Sequence, residues 1–130
     1  MIELSVKTST RNQMVNITSE VSKKIPDGYN GHAVVFVPHT TAGVTINEGA
    51  DPSVQYDIMN YLAELVPPNK GFTHAEGNSD SHIKSSLVGS SVNLIIESGK
   101  LVLGTWQAIY FCEFDGPRQR KVYLSFIEKA

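Results

Sequence analysis

The side chains of this chain that could do chemistry are four histidines, one cysteine, and carboxylates gathered near an arginine. His39 follows an apolar run and opens His39-Thr40-Thr41-Ala42-Gly43, while His74 and His82 bracket a polar, glycine-containing segment. Neutral imidazoles bind zinc and related metals, and three of them leave an open position for water or substrate. No close His-x-His or His-x3-His pair is present, so spacing alone leaves surface or hydrogen-bonded histidines as the competing reading. His32, at a strand start, reads as a bystander. The segment from Thr73 to His82 can also open a helix whose N-terminus favours an anion such as phosphate. Lys84, Ser85 and Ser86 add donors there; an ordinary capped loop is the plainer reading. Asp57 lies at the edge of an apolar helix stripe, where a carboxylate could orient a histidine or simply be solvated. Glu113 and Asp115 beside Arg118 could bind a metal or position a proton acceptor, or form a salt-bridged turn. Cys112 shares strand parity with Tyr110 and Phe114, which favours a buried structural thiol over a nucleophile.

The elements that must hold these residues follow from periodicity. Ile2, Leu4 and Val6 alternate with polar residues as in a strand. Met14–Thr18 reads as a second strand with Val15 and Ile17 inward, followed by a short helix near Ser19–Ile25 capped by Thr18 or Ser19. The apolar run within His32–Pro38 suits a strand covered on both faces. Asp51 is an N-cap with Pro52 at the first helical position, and Val54, Ile58, Tyr61, Leu62 and Leu65 keep helical spacing until Pro67-Pro68. Asn78 or Ser79 caps a shorter helix carrying Ile83 and Leu87, which Gly89 ends. Val92–Glu97 is a strand, Ser98-Gly99 a hairpin turn, and Gly104 the bend in a β segment running to Asp115. A turn at Asp115-Gly116-Pro117-Arg118 leads into a last strand with Val122, Leu124 and Phe126 alternating. The expected fold class is α+β: a single domain over residues 1–130, a largely antiparallel β-sheet with two helices packed on one face.

Composition narrows the function. The 130 residues are 41% hydrophobic and 18% charged, and 11 Lys and Arg against 13 Asp and Glu give a net charge of −2. A chain of this length buries roughly two-thirds of its unfolded surface, so it folds without a metal or disulfide staple. Near-neutral charge without a basic run argues against a nucleic-acid partner. No apolar run reaches membrane-spanning length, and the alternating N-terminus is unlike a signal peptide. One cysteine permits no intrachain disulfide, which fits a cytoplasmic location. P-loop, G-x-G-x-x-G, G-x-S-x-G and Cys-x2-Cys motifs are absent.

Three long segments resemble the signatures of the YjbQ family, often labelled secondary thiamine-phosphate synthases. The first runs Pro38-His39-Thr40-Thr41-Ala42-Gly43-Val44-Thr45-Ile46-Asn47-Glu48, continuing to Asp51-Pro52 and Asp57. The second runs from His74-Ala75-Glu76-Gly77-Asn78-Ser79-Asp80-Ser81-His82-Ile83-Lys84 to Ser86-Leu87-Val88-Gly89-Ser90-Ser91. The third is Leu101-Val102-Leu103-Gly104-Thr105-Trp106-Gln107, then Cys112-Glu113-Phe114-Asp115-Gly116-Pro117-Arg118. The resemblance implies a homotrimer and a polar site near subunit interfaces, where His39, His74 and His82 gather around a divalent metal such as zinc or magnesium. It also implies a low thiamine phosphate synthase activity, which joins hydroxymethylpyrimidine diphosphate to thiazole phosphate and releases pyrophosphate. Taken with the residues, it gives His39, His74, His82, Asp57 and Glu113 as catalytic candidates. Lys84, Asn78, Ser86 and Arg118 are candidates for holding a small phosphorylated substrate. Trp106 is a candidate apolar wall for a heterocycle. Metal-assisted hydrolysis and a non-catalytic anion- or cofactor-binding module are the rival functions.

Overall fold

The computed structural model describes residues 1–129. The element order is β1 (Ile2–Lys7), β2 (Gln13–Asn16), α1 (Thr18–Ser22), β3 (Gly31–Phe36), β4 (Ala42–Glu48), α2 (Pro52–Leu65), α3 (Ser79–Val88), β5 (Ser91–Glu97), β6 (Lys100–Leu101), β7 (Gln107–Glu113) and β8 (Gln119–Glu128). The strands form two sheets, a five-stranded one ordered β1-β8-β3-β5-β6 and a three-stranded one ordered β2-β7-β4. Every strand pairing in them is antiparallel. The α+β expectation stands, with the sheet divided in two.

The division follows from alternation. In β7, Ile109 and Phe111 join Val35, Leu94 and Leu124 in a core between the sheets. Ala108, Tyr110 and Cys112 on its other face, with Phe114 just beyond, pack with Met59 and Leu62 of α2 and Val88 of α3. Both faces of β7 are therefore covered, and this strand holds the molecule's two apolar layers apart. The sequence assigned that property to β3, and there the structure differs. Ala33 and Val35 are buried, but His32 is exposed and Phe36 is 43% exposed, because among the described residues none covers that part of the outer face of the larger sheet.

Local signals explain most boundaries. The Asp51 carboxylate accepts the Ser53 amide at 3.0 Å and Pro52 opens α2. Ser98 and Gly99 take φ of 50° and 75°, the positive values that a tight two-residue hairpin requires. Gly104 breaks the long β segment: the Gln107 amide donates to the Gly104 carbonyl at 3.0 Å, and the Gln107 side chain accepts the Gly104 amide at 2.8 Å. The first helix begins earlier than expected and is capped by neither Thr18 nor Ser19. Its cap position is Ile17, and the Thr18 hydroxyl instead accepts the Ile109 amide from β7. The strand β4 was not anticipated. Its Ala42-Gly43 start lacks bulky side chains because α3 ends against it, where the Val44 amide donates to the Gly89 carbonyl at 3.0 Å. A Cβ on Gly43 would sit 2.5 Å from that carbonyl oxygen, so this contact admits only glycine.

Candidate functional site

Three chain segments meet at one end of the three-stranded sheet: Pro38–Thr41 before β4, the loop and first turn of α3, and the turn from β7 into β8. Between them lies a cleft of about 420 Å³ whose walls include His39, His74, Glu76, Asn78, His82, Arg118 and Arg120. The three motif histidines thus border one cavity, as the signatures implied, while His32 lies on the outer face of the larger sheet. The rings of His74 and His82 are edge-on to each other, with centroids 5.4 Å apart. The Glu76 carboxylate stands 4.0 Å from His74 Nε2.

His39 is held differently. Its Nε2 accepts the backbone N–H of Lys121 at 2.9 Å. Burial, then the nearby Arg120 cation, pushes its pKa below the ordinary histidine value. At neutral pH His39 is therefore an uncharged imidazole whose Nε2 is occupied and whose proton sits on Nδ1. Among the described residues, no three His, Cys, Asp or Glu side chains converge to hold a metal ion. Within one chain the three histidines line a cavity without forming a coordination set.

The anion-binding candidates divide. Arg118 lines the cleft with its side chain half exposed, and Nε and Nη2 donate to the Asp115 carbonyl and carboxylate, each at 2.8 Å. The same Asp115 carboxylate accepts Asn78 Nδ2 at 2.8 Å, so one acid orients both residues. Asn78 occupies the N-cap position of α3 yet makes no side-chain cap hydrogen bond; its buried Oδ1 has no hydrogen-bond partner among the described residues. A buried acceptor left unpaired is unfavourable by about 1–3 kcal/mol unless a ligand or water supplies a donor. Ser86 borders the neighbouring cavity, and its hydroxyl donates to the His82 carbonyl at 2.9 Å. Lys84 is not a ligand group facing solvent. It is 2% exposed, its Nζ lies 3.1 Å from Asp80 Oδ2, and it sits over the Phe114 ring. Arg11 donates to both Asp80 oxygens, Nη1 to Oδ2 and Nη2 to Oδ1, each at 3.0 Å, so this buried carboxylate ties the β1–β2 loop to α3. Burial raises the Asp80 pKa, but the hydrogen bonds from Arg11 and Lys84 outweigh it and hold the carboxyl below its usual range.

Two catalytic candidates are also placed elsewhere. Asp57 is exposed on α2 and lines a separate, mostly apolar cleft with Tyr61, Leu62, Leu87 and Cys112. None of the histidines lines that cleft. Glu113 is completely buried and binds Arg120, whose Nε donates to Glu113 Oε1 at 2.8 Å. The Thr8 hydroxyl donates to the same oxygen at 2.8 Å, and the Asp115 amide donates to the other oxygen at 3.1 Å. Arg120 also reaches the Thr41 hydroxyl at 2.9 Å. Glu113 is an anchor for the arginine that forms the cleft floor. Sequence reading passed over Arg120 and Asp80; a carboxylate inside the second signature and a cation two residues beyond the third were the available signal. Burial drives the Cys112 thiol up to about 12, which leaves it protonated and makes it a poor nucleophile. Trp106 is 64% exposed beside Glu48, at the other end of β4, so it is no wall of this cavity.

The profile of the UPF0047 protein YjbQ-like family matches residues 2–129. The chain belongs to this family. UPF0047 protein MJ1081 of Methanocaldococcus jannaschii is 54% identical over 129 residues, covering 98% of this chain and 94% of that protein. UPF0047 protein YugU of Bacillus subtilis is 47% identical over 127 residues, covering 95% and 96%. Among solved structures, an uncharacterized conserved protein of the YjbQ/UPF0047 family from Clostridium acetobutylicum has 55% identity and a TM-score of 0.94, covering 98% of this chain and 100% of that one. The conserved hypothetical protein TT1486 from Thermus thermophilus has 44% identity and a TM-score of 0.93 over the same shares.

Proposed function

We propose that this YjbQ-like protein is an enzyme that binds the phosphate or diphosphate of a small molecule in the histidine cleft. Its chemistry in this reading is the transfer that the family resemblance implies: joining a hydroxymethylpyrimidine diphosphate to a thiazole phosphate with release of pyrophosphate. The observation that carries the proposal is the convergence of His39, His74 and His82 with Arg118, Arg120 and Asn78 on one open cavity. Arg118, already oriented by Asp115, offers its remaining N–H groups to an anion. The Nδ1–H of His39 adds a neutral donor. In this reading His74 or His82 donates a proton to the leaving oxygen, which stabilises charge as it develops on pyrophosphate. In this reading the histidines act as donors and proton carriers, not as metal ligands. The test supplies both phosphorylated partners to the purified protein and follows pyrophosphate and coupled product. Release of inorganic phosphate from either compound alone, with no coupled product, would instead mean hydrolysis.

We also propose that the protein works as a homotrimer in the cytoplasm, where the lone thiol remains reduced. Support for self-association comes from apolar surface that a single chain leaves open. No residue of α2 is buried, Tyr61 and Leu65 are exposed on it, and Phe36, Ile95 and Ile127 are exposed on the larger sheet. Light scattering should return three times the 14.2 kDa chain mass; a monomer mass at micromolar concentration would refute it.

A further inference from the structure

Asp57 has no part in the histidine cleft, yet it borders a cleft of its own. That second cleft, of about 500 Å³, shares no residue with the walls of the first. Strand alternation explains its floor. In β4, Val44 and Ile46 point into the core between the sheets, so Gly43, Thr45 and Asn47 face the helices. Cys112 of β7 lies opposite Gly43 and faces the same way. Thr45, Asn47 and Cys112 form the floor between α2 and α3. Asp57 and Tyr61, one turn apart on α2, stand along one wall with Ile58 and Leu62. Leu87 and Val88, the last residues of α3, form the other.

This cleft is apolar with a single charge. Asp57 is its only charged side chain; among the described residues no lysine, arginine or histidine lines it, and Asp57 forms no ion pair. Asn47 Oδ1 is taken, since it accepts the Glu48 amide at 2.7 Å. The last turn of α3 carries no basic residue, so nothing on that helix offsets the negative end of its dipole beside Leu87 and Val88. Carboxylate and dipole both favour a positive charge. The volume falls within the range of about 300–1,000 Å³ usual for small-molecule sites, which bury an apolar body and fix it with a few polar groups.

From this juxtaposition we infer that the cleft between α2 and α3 binds a small organic cation, an amine carried on an apolar body. The ammonium group pairs with the Asp57 carboxylate beside the Tyr61 ring, whose face adds attraction for a cation. The apolar body lies against Ile58, Leu62, Leu87 and Val88. An anionic ligand would meet Asp57 as a like charge, which separates this site from the arginine-bearing histidine cleft. A ligand can enter only if the mouth stays open in the assembly. Contact between subunits then falls on the larger sheet, where Phe36, Ile95 and Ile127 are exposed.

Three probes with a phenyl ring on a two-carbon chain, differing in the charge at its end, test this: phenethylamine, 2-phenylethanol and 3-phenylpropionate. Each is titrated at neutral pH into the whole protein, Asp57→Asn and Tyr61→Ala, and backbone amide shifts are followed by two-dimensional NMR. The amine should bind tightest, about fivefold over the alcohol, the upper end for one exposed ion pair. Its shifts should centre on Thr45, Asn47 and Leu87. Asp57→Asn should bring the amine down to the affinity of the alcohol and leave the alcohol unchanged. Tyr61→Ala should weaken all three probes. Both substituted residues are exposed, so each variant should keep the wild-type thermal midpoint. Equal affinity for amine and alcohol in the wild type would overturn the inference, as would an amine preference that survives Asp57→Asn. Shifts centred on His74 and His82 would also overturn it. So would the absence of binding by any probe, which would mean that a neighbouring subunit already fills the cleft.

Discussion

Replacing Glu113 with Gln should destabilise the fold by about 3–5 kcal/mol, because it leaves the guanidinium of Arg120 buried without its counter-charge. The side chains of Glu113 and Arg120 are 0% and 4% exposed, so water cannot compensate. For a small domain this is a large part of the total stability. Urea unfolding measures it as a lower midpoint at constant slope. The pair Glu113→Leu/Arg120→Met should recover much of the loss, since removing both charges leaves no buried ion. If the single variant unfolds within about 1 kcal/mol of the wild type, the ion pair is not what holds this corner together. The same carboxylate sets an acid limit. Burial raises the Glu113 pKa, but the hydrogen bonds from Arg120, Thr8 and the Asp115 amide outweigh it, so the folded-state value lies below the usual glutamate range. A depressed carboxylate contributes stability that is complete above its unfolded pKa and is lost as pH falls through the folded value. Asp80, depressed by Arg11 and Lys84, adds to the same acid limb.

The largest functional effect is expected at His82, which borders the histidine cleft and the cavity beside it and faces His74. Under the proposed chemistry, His82→Ala should reduce turnover by roughly 10²–10⁴-fold, the usual contribution of a positioned acid–base group. Its thermal midpoint should hardly move, since the ring is only half-buried and makes no side-chain hydrogen bond among the described residues. His32→Ala is the matched control, as His32 lies outside the cleft. The readout is the rate of pyrophosphate release by the variant, the control and the wild type under the same conditions. Full activity in His82→Ala would remove the pair from the mechanism.

How much of this was legible depended on the range of each interaction. Asp51-Pro52, Ser98-Gly99 and Gly104 act on their immediate neighbours, and each marked its feature correctly. The three histidines could be assigned to one site only because they lie within family signatures; nothing in their spacing fixes a cavity. Lys84 and Glu113 misled for a common reason. Each looks like an available charged group until its partner is known: Lys84 is spent on Asp80, one turn back on its own helix, and Glu113 on Arg120 of β8. Arg11 is 69 residues from Asp80, and Arg120 lies across a turn that passes from one sheet to the other. Asp57 failed on geometry, since a helix stripe says which side faces the protein but not which cleft lies beneath it.

The two-sided strand β7 carries a consequence for tolerance to change. A substitution on one of its faces disturbs the inter-sheet layer, one on the other disturbs the seat of the helices, and one at Glu113 disturbs the cleft floor. No position from Ala108 to Phe114 therefore has a free side on which variation could accumulate. In a saturation library this run should be the most depleted stretch of the gene, while neighbouring codons at the Gly104–Gln107 corner diverge. Any enlargement of the cleft by engineering would then have to start from its exposed rim at Glu76, with the strand beneath left untouched.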